Sequence, residues 1–500
     1  MSHGAILFTR PLWVDEWFTV LVASHASPVD VIADLRHGAD GGASLFHLLA
    51  WALRAVTGGL SPTLLHAMSL ASMWGALVIV YAVLRRRFSR DASIAGVLAA
   101  GANSLVVTHA FEGRFYALWV LCCAFFAWSL GLSGRRRSIV VAFAAILLAT
   151  SHWYGVVSLA LMSSAVFVSY GKNWRDGLKC VAPAAAGMLA FVVISPLAAG
   201  QQAALTVASW IPDFRIGQLD GLAGTFWFAW IPLVAFGALI VAIVWRERSE
   251  AGPPVAITAR SAVRDPSIVA LFSLALMPLA LVLLSLAGRP SMLARYALPA
   301  VLAWGPWVAF PMDLLGRWPA RAFALVLVVV WTRNVGAEAD RKRKYTLGIE
   351  QNVSLLRQAE RLGIPIVFQS QHTMYPLEAA TRGRGSSGVY LDLPDSTLDA
   401  LFPVTGRFYQ LNKGIRLERD FARVQARLYG FPRLAAQTVL DTTTRFLLFA
   451  PYERLPRGTN DLNESGPAVF PHHRAVPLQE NLLLLERVSA RSLPARNTSR

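Results

Sequence analysis

Apolar runs long enough to cross a bilayer alternate with short arginine-rich turns over most of this chain. A spanning helix needs about 20 mostly apolar residues, within a range of about 17 to 25. Ten runs meet or approach that length: 64–84, 92–110, 115–133, 138–151, 153–170, 178–199, 222–245, 267–287, 296–314 and 320–335. The fourth and fifth are short and are parted by His152 alone. They predict a tight helical hairpin or one broken segment.

Lys and Arg orient these runs. One set of turns carries Arg85, Arg86, Arg87, Arg90, Arg135, Arg136, Arg137, Lys172, Arg175, Lys179, Arg246, Arg248, Arg260, Arg264, Arg317 and Arg321. The opposite set carries only Arg114, Arg215, Arg289 and Arg295. Sixteen against four makes the first set cytoplasmic. Asp15, Glu16, Glu112, Arg114, His152 and Arg295 then share the outer face, as does everything after 335. Ten spans would also place the N-terminus outside. The 14 residues ahead of Asp15 are too few to span, so either an upstream first helix is expected or the first later span inserts the chain unaided.

Two regions break the pattern. Leu45, Leu48, Leu49, Ala52, Leu53 and Val56 recur on one helical face, with His47 and Arg54 on another. This predicts an amphipathic helix lying in the interface, and a second such stretch starts at Trp17. From 336 to 500 polar and apolar residues mix. Residues 348–362 and 417–429 read as helices, and 364–369, 388–393, 445–450 and 481–488 as buried strands. The expected architecture is an α-helical polytopic membrane domain over 1–335 and an extracytoplasmic α/β domain over 336–500.

Composition sharpens this reading. Hydrophobic residues make up 55% of the chain and charged residues 15%, which is unusual for a soluble domain. The net charge of +17 sits in the turns. No long basic face with interleaved aromatics suggests nucleic acid. Cys122, Cys123 and Cys180 lie in or beside apolar runs and show no metal or disulfide spacing. Gly383–Gly388 lacks the lysine and the helix of a phosphate-binding loop.

Four constellations could carry chemistry. The first is Asp15–Glu16. Adjacent carboxylates do not share a helix face, so one is expected to work and the other to support it. The alternative is an exposed acidic turn with Asp15 as a helix cap. The second is Glu112–Gly113–Arg114–Phe115–Tyr116. Its arginine either pairs locally with Glu112 or meets an anion such as phosphate. The third is Ser151–His152–Trp153–Tyr154, able to hydrogen-bond or stack on a sugar, or to serve as interfacial belt residues. The fourth runs from Arg289 to Tyr296, where Arg289 and Arg295 suit a ligand phosphate or ordinary anionic headgroups. Pro299, Pro306 and Pro311 interrupt the helix that follows.

In order, these pieces resemble the GT-C membrane glycosyltransferases, nearest to bacterial relatives of protein O-mannosyltransferases and lipid A aminoarabinose transferases. That group carries an acidic pair like Asp15–Glu16. It carries a stretch like Glu112 to Leu118, a segment like Ser151 to Tyr154, and an Arg-Tyr-x-x-Pro stretch like Arg295, Tyr296 and Pro299. The likeness spans about residues 10–310. At the second surface helix the family's Pro-Pro-Leu-Tyr is replaced by Ala43–Ser44–Leu45–Phe46.

The resemblance implies a polyprenyl-phosphate-linked sugar donor in the cytoplasmic (inner) membrane. It implies an inverting transfer to an acceptor hydroxyl on a glycolipid, polysaccharide or protein, at the outer face. Asp15 would act as general base and Arg114 and Arg295 would bind the leaving phosphate. Glu16 and Glu112 would orient the acceptor or the arginines. Tyr116, His152, Tyr154 and Tyr296 would contact substrate. No cofactor is expected; two carboxylates could hold a divalent metal, but no ligand spacing demands one. A lipid-linked saccharide transporter would instead show midplane polar residues and internal repeats. A non-catalytic scaffold would tolerate loss of Asp15, Glu112 and Arg114.

Overall fold

The structure is a computed structural model that describes residues 3–134, 136–204 and 264–361, the single residue 237, and six strands between 366 and 487. Among the described residues, five helical stretches are long and apolar enough to cross a membrane: Pro62–Leu84, Gly171–Ala203, Pro266–Leu286, Ala294–Leu315 and Arg317–Ser354. A bent pair, Arg90–Gly101 and Ser104–Ala110, makes a sixth if it counts as one span. Tyr116–Leu130 and Gly155–Ser169 are shorter apolar helices. The expected run 222–245 lies outside the described residues.

Local chemistry sets the ends of these helices. Ser61 accepts from the Leu64 amide and Pro62 opens the helix that follows. That helix, Pro62–Leu84, is 23 residues long, about 34 Å at 1.5 Å per residue, enough for a hydrocarbon core of about 30 Å. The run expected over 92–110 is broken by 72°. Asn103 caps the second piece by accepting from the Leu105 amide at 2.9 Å. The fourth and fifth runs are separate helices, Arg136–Ser151 and Gly155–Ser169, which pack on each other as a hairpin. The ninth begins as 3-10 helix over Ala294–Ala303, around Pro299, and continues as α-helix over Trp304–Leu315. The tenth does not stop near 335. Arg317–Arg361 is one helix of 45 residues. It absorbs most of the helix expected at 348–362, and the expected domain boundary falls inside it.

Six strands form one sheet: β1 (Ile366–Phe368), β2 (Val389–Asp392), β3 (Arg433–Ala435), β4 (Arg445–Phe449), β5 (His473–Gln479) and β6 (Leu482–Arg487). Their order is β3-β2-β1-β4-β6-β5. The β3-β2-β1-β4 neighbours are parallel, and β4-β6 and β6-β5 are antiparallel. β1, β2, β4 and β6 fall within the four expected strands, while the expected helix 417–429 lies outside the described residues.

Polar contacts collect at the two ends of the helices. At one end Arg87 pairs with Asp265 at 2.8 Å and Arg321 with Asp91 at 2.9 Å. Asp313 accepts from the Ser89 amide. These are turns of the arginine-rich set. The opposite end gathers the four sequence constellations. Between the ends the packing is close. A Cβ on Gly96 would come within 2.4 Å of the Gly305 carbonyl oxygen, so Arg90–Gly101 and Trp304–Leu315 touch nearly backbone to backbone. An apolar groove of about 400 Å³ runs between Pro62–Leu84, the bent pair and Arg317–Arg361, lined by Met73, Leu77, Val107, Phe111, Val328 and Trp331 among others.

Candidate active site

The short helix Val14–Val22 carries both members of the acidic pair in its first turn. Trp13 is its N-cap residue, so Asp15 is not the cap. Instead Glu16 reaches back to accept from the Trp13 amide at 3.0 Å. Successive helical residues point about 100° apart, and the two carboxylates part company at once. Glu16 is fully buried. Arg10 grips both its oxygens, at 2.7 and 2.5 Å; His66 meets it at 3.1 Å, and the Gly113 amide donates to it at 2.8 Å. Burial alone would raise the pKa of Glu16, but the charges of Arg10 and His66 outweigh it and hold the carboxyl well below the usual range. Asp15 keeps 24% of its side chain exposed and faces the Arg295 guanidinium at 3.9 Å.

Arg114 meets the same residue from the other side. Its Nη1 donates to the Asp15 backbone oxygen at 2.6 Å and to Thr19 at 3.1 Å. Its charge, however, is answered by Asp40, which receives both guanidinium nitrogens. Of the two alternatives for Arg114, local pairing with Glu112 does not form: Glu112 pairs with His109 three residues back. His109 and its own burial act on Glu112 in opposite directions, and the net effect lowers its pKa to about 2. Asp40 in turn accepts from His47 at 2.8 Å. His47 was expected on the polar face of the 45–56 helix; it is fully buried in Ser44–Thr57. The apolar residues Leu49 and Val56 of that helix face outward, as an interface-lying helix requires.

Two histidines thus repeat one arrangement. The ring nitrogens of His66 face the Phe8 carbonyl at 2.9 Å and Glu16 at 3.1 Å. Those of His47 face the Ala43 carbonyl at 3.0 Å and Asp40 at 2.8 Å. Carbonyl and carboxylate oxygens only accept, so both nitrogens of each ring face acceptors. Each buried carboxylate lies between one arginine and one such histidine. Arg10, His66, Asp40 and His47 were not singled out from the sequence. The partner of His66 stands 50 positions away and Arg114 stands 74 from Asp40, while Arg10 and His47 lie only 6 and 7 positions from theirs, at spacings that mark no motif.

Arg295 enters from the start of the 3-10 segment. Its guanidinium lies 5.7 Å from the ring centroids of both Tyr116 and Tyr296, within cation–π range. Beside it is His152, stacked on Trp119 at 4.1 Å and nearly parallel, at 6°. Phe115, Tyr116, Tyr154 and Tyr296 surround its ring within 5.7 Å. Burial, then Arg295 and Arg114, push the His152 pKa well down. The neutral ring accepts from the Tyr154 amide at Nδ1, which leaves its proton on Nε2. Tyr154 donates its hydroxyl to Ser291 at 2.7 Å, tying the third constellation to the fourth. Trp153 donates to the Gly41 carbonyl and to Gln201. Among the described residues no group of three or more His, Cys, Asp or Glu could hold a metal ion.

The sequence-predicted residues therefore converge at one end of the helical bundle. A carboxylate faces a guanidinium there, with a wall of stacked aromatics beside them. This arrangement sits on a helical fold that solved structures share. Two solved structures of ArnT from Cupriavidus metallidurans share that fold over almost the whole chain. The apo form gives a TM-score of 0.56 at 12% identity, covering 98% of this chain and 97% of that one. The form bound to undecaprenyl phosphate gives 0.55 at 11% identity, covering 99% and 98%. No family model matches the chain, and no curated protein matches it in sequence. The ArnT-like fold and the apolar helices make this a multi-pass membrane protein.

Proposed function

We propose that this protein transfers a sugar from a polyprenyl-phosphate donor to an acceptor hydroxyl, at the extracytoplasmic face of the cytoplasmic membrane. The meeting of the Asp15 carboxylate with the Arg295 guanidinium at 3.9 Å carries the reading. The two groups stand 280 positions apart in the chain, at one membrane face. The ArnT structure that holds undecaprenyl phosphate supports a lipid-phosphate partner for the same fold.

In this reading Asp15 takes the proton from the acceptor hydroxyl as its oxygen attacks the anomeric carbon. The bond to the phosphate oxygen breaks on the opposite side, and configuration inverts. The phosphate leaves with its charge answered by Arg295, a cation placed where negative charge develops. A phosphate needs little acid assistance to leave, so one carboxylate is enough. Glu16 and Glu112, both buried and both paired, orient rather than react. Tyr154, Tyr296 and the Nε2 proton of His152 line the sugar side. The segment beyond the long helix, with its six-stranded sheet, is an α/β domain on the same outer side.

The test compares glycolipids and surface glycans, by mass spectrometry, in cells with and without the gene, then in cells carrying Asp15→Asn. A positioned base contributes about 10²–10⁴ in rate, so the variant loses transfer by at least about 10²-fold while its yield and melting temperature in detergent stay unchanged. Near-normal transfer by Asp15→Asn removes Asp15 as the base. A glycan profile unchanged by deletion removes the function.

A further inference from the structure

Arg114 and Arg295 both approach Asp15, but they are held differently. The Arg114 side chain is 5% exposed, and its two terminal nitrogens are taken by Asp40, Thr19 and the Asp15 backbone oxygen. The Arg295 side chain is 21% exposed, and its nearest carboxylate is that of Asp15. Asp40 stands in the segment 38–43, between Pro28–Arg36 and Ser44–Thr57. That segment is fixed at several points. Gly41 O accepts from Trp153, Gly42 O accepts from Gln201, and Ala43 O accepts from His47. A Cβ on Gly42 would fall 2.7 Å from His47 and 2.8 Å from Phe115. The backbone is pressed against the residues that hold Arg114.

We propose that Asp40 and His47 form a positioning pair for the transfer site: they neutralise Arg114, hold it against the backbone of Asp15, and leave Arg295 as the cation that meets the donor phosphate. This deepens the transferase reading and rests on it. His47 donates to Asp40, and Asp40 presents both oxygens to Arg114. Arg114 Nη1 then anchors the first turn of Val14–Val22 at the residue that bears the reacting carboxylate. Without Asp40 the next carboxylate acting on the Arg114 charge, among the described residues, is that of Asp15 itself, and an ion pair there withdraws the base from the acceptor. Arg114 at the backbone and Arg295 at the carboxylate both meet Asp15.

The experiment separates lipid binding from transfer. Wild type, Asp40→Asn, His47→Gln and Arg295→Gln are reconstituted in nanodiscs. Undecaprenyl phosphate binding is titrated, and transfer is measured in membranes of cells expressing each variant. Misplacing a reacting group by about 1 Å can cost about 10²-fold in rate. Asp40→Asn is expected to lose about that much transfer while binding undecaprenyl phosphate within about 3-fold of wild type, and His47→Gln follows in the same direction. Arg295→Gln loses binding by about 10-fold. Asp176→Asn, in an exposed pair on the opposite end, matches wild type in both. The proposal is overturned if Asp40→Asn and His47→Gln transfer normally. It is equally overturned if they lose binding, transfer and folded yield in proportion, because that is a merely structural role. If wild type neither binds the lipid nor transfers, the functional reading itself fails, a result distinct from a working wild type with indifferent variants.

Discussion

Asp15 and Glu16 owe their different environments to the turn between them, because helical neighbours point apart and only one can face Arg295. Glu16 faces Arg10 and His66 inside the protein. Breaking a buried pair by removing one partner costs about 3–5 kcal/mol, since the other charge is left uncompensated. Glu16→Gln is therefore expected to reduce the folded yield in detergent and lower the melting temperature, whereas Asp15→Asn leaves both unchanged. Equal melting temperatures for the two variants would contradict the assignment. Glu16, Asp40 and Glu112 all have lowered pKa values, through burial outweighed by arginine or histidine partners. Their stabilisation is complete above the ordinary carboxylate range and is lost as pH falls through that range toward the folded-state values. Melting temperature should stay flat from neutral pH to about 5 and fall below it. The acidic pair, Arg114 and Arg295 were legible in the sequence because each violates a local rule, as charge on the sparse side of a membrane protein. Asp40 and His47 violate none. Their meaning comes only from a contact with Arg114.

Elements place these residues through close approaches at glycine. Gly113 lies between Glu112 and Arg114, donates its amide to Glu16, and has Leu65 2.4 Å from where a Cβ would stand. Gly113→Ala must displace Leu65 or the loop, and the loop carries Arg114. Transfer is expected to fall by about 10²-fold, the cost of roughly 1 Å of misplacement, with only a modest fall in melting temperature. Full activity in that variant would show that the loop has room to give. Helix existence was readable from apolar run length, and the four expected strands contain strands that form. Helix breaks were less readable. The 92–110 run carries no proline, and Asn103, whose side chain starts the second piece at 72° to the first, is one polar residue among many. The join of the tenth run to 348–362 was hidden for the opposite reason. The basic stretch Arg341–Lys344 resembles a linker in composition, yet in the structure it is helical: Arg341 and Lys342 reach Glu338 one turn back, and such i,i+3 and i,i+4 pairs support a helix through charged sequence.

At the scale of the whole molecule, the distribution of charge makes a claim about sidedness, and the contacts put the two sets of residues at opposite ends of the bundle. The turns rich in arginine meet one another through Arg87–Asp265 and Arg321–Asp91, while every candidate site residue lies at the other end. Positive residues are retained on the cytoplasmic side, so the charge distribution predicts that the site faces outward. A flipped lipid-linked donor would present its phosphate there. The native cysteines are all buried, which permits a labelling test with single introduced cysteines. Val29 is exposed on Pro28–Arg36, near the site end, where His25 meets Asp34 of the same helix and Trp51 of Ser44–Thr57. Arg175, of the arginine-rich set, is exposed on the helix Trp174–Val181. Val29→Cys should react with a membrane-impermeant maleimide added to intact inverted-free spheroplasts, and Arg175→Cys only after permeabilisation. The reverse pattern would put Asp15 and Arg295 on the cytoplasmic side, where the donor would be met before flipping, and the extracytoplasmic transfer reading would not survive it.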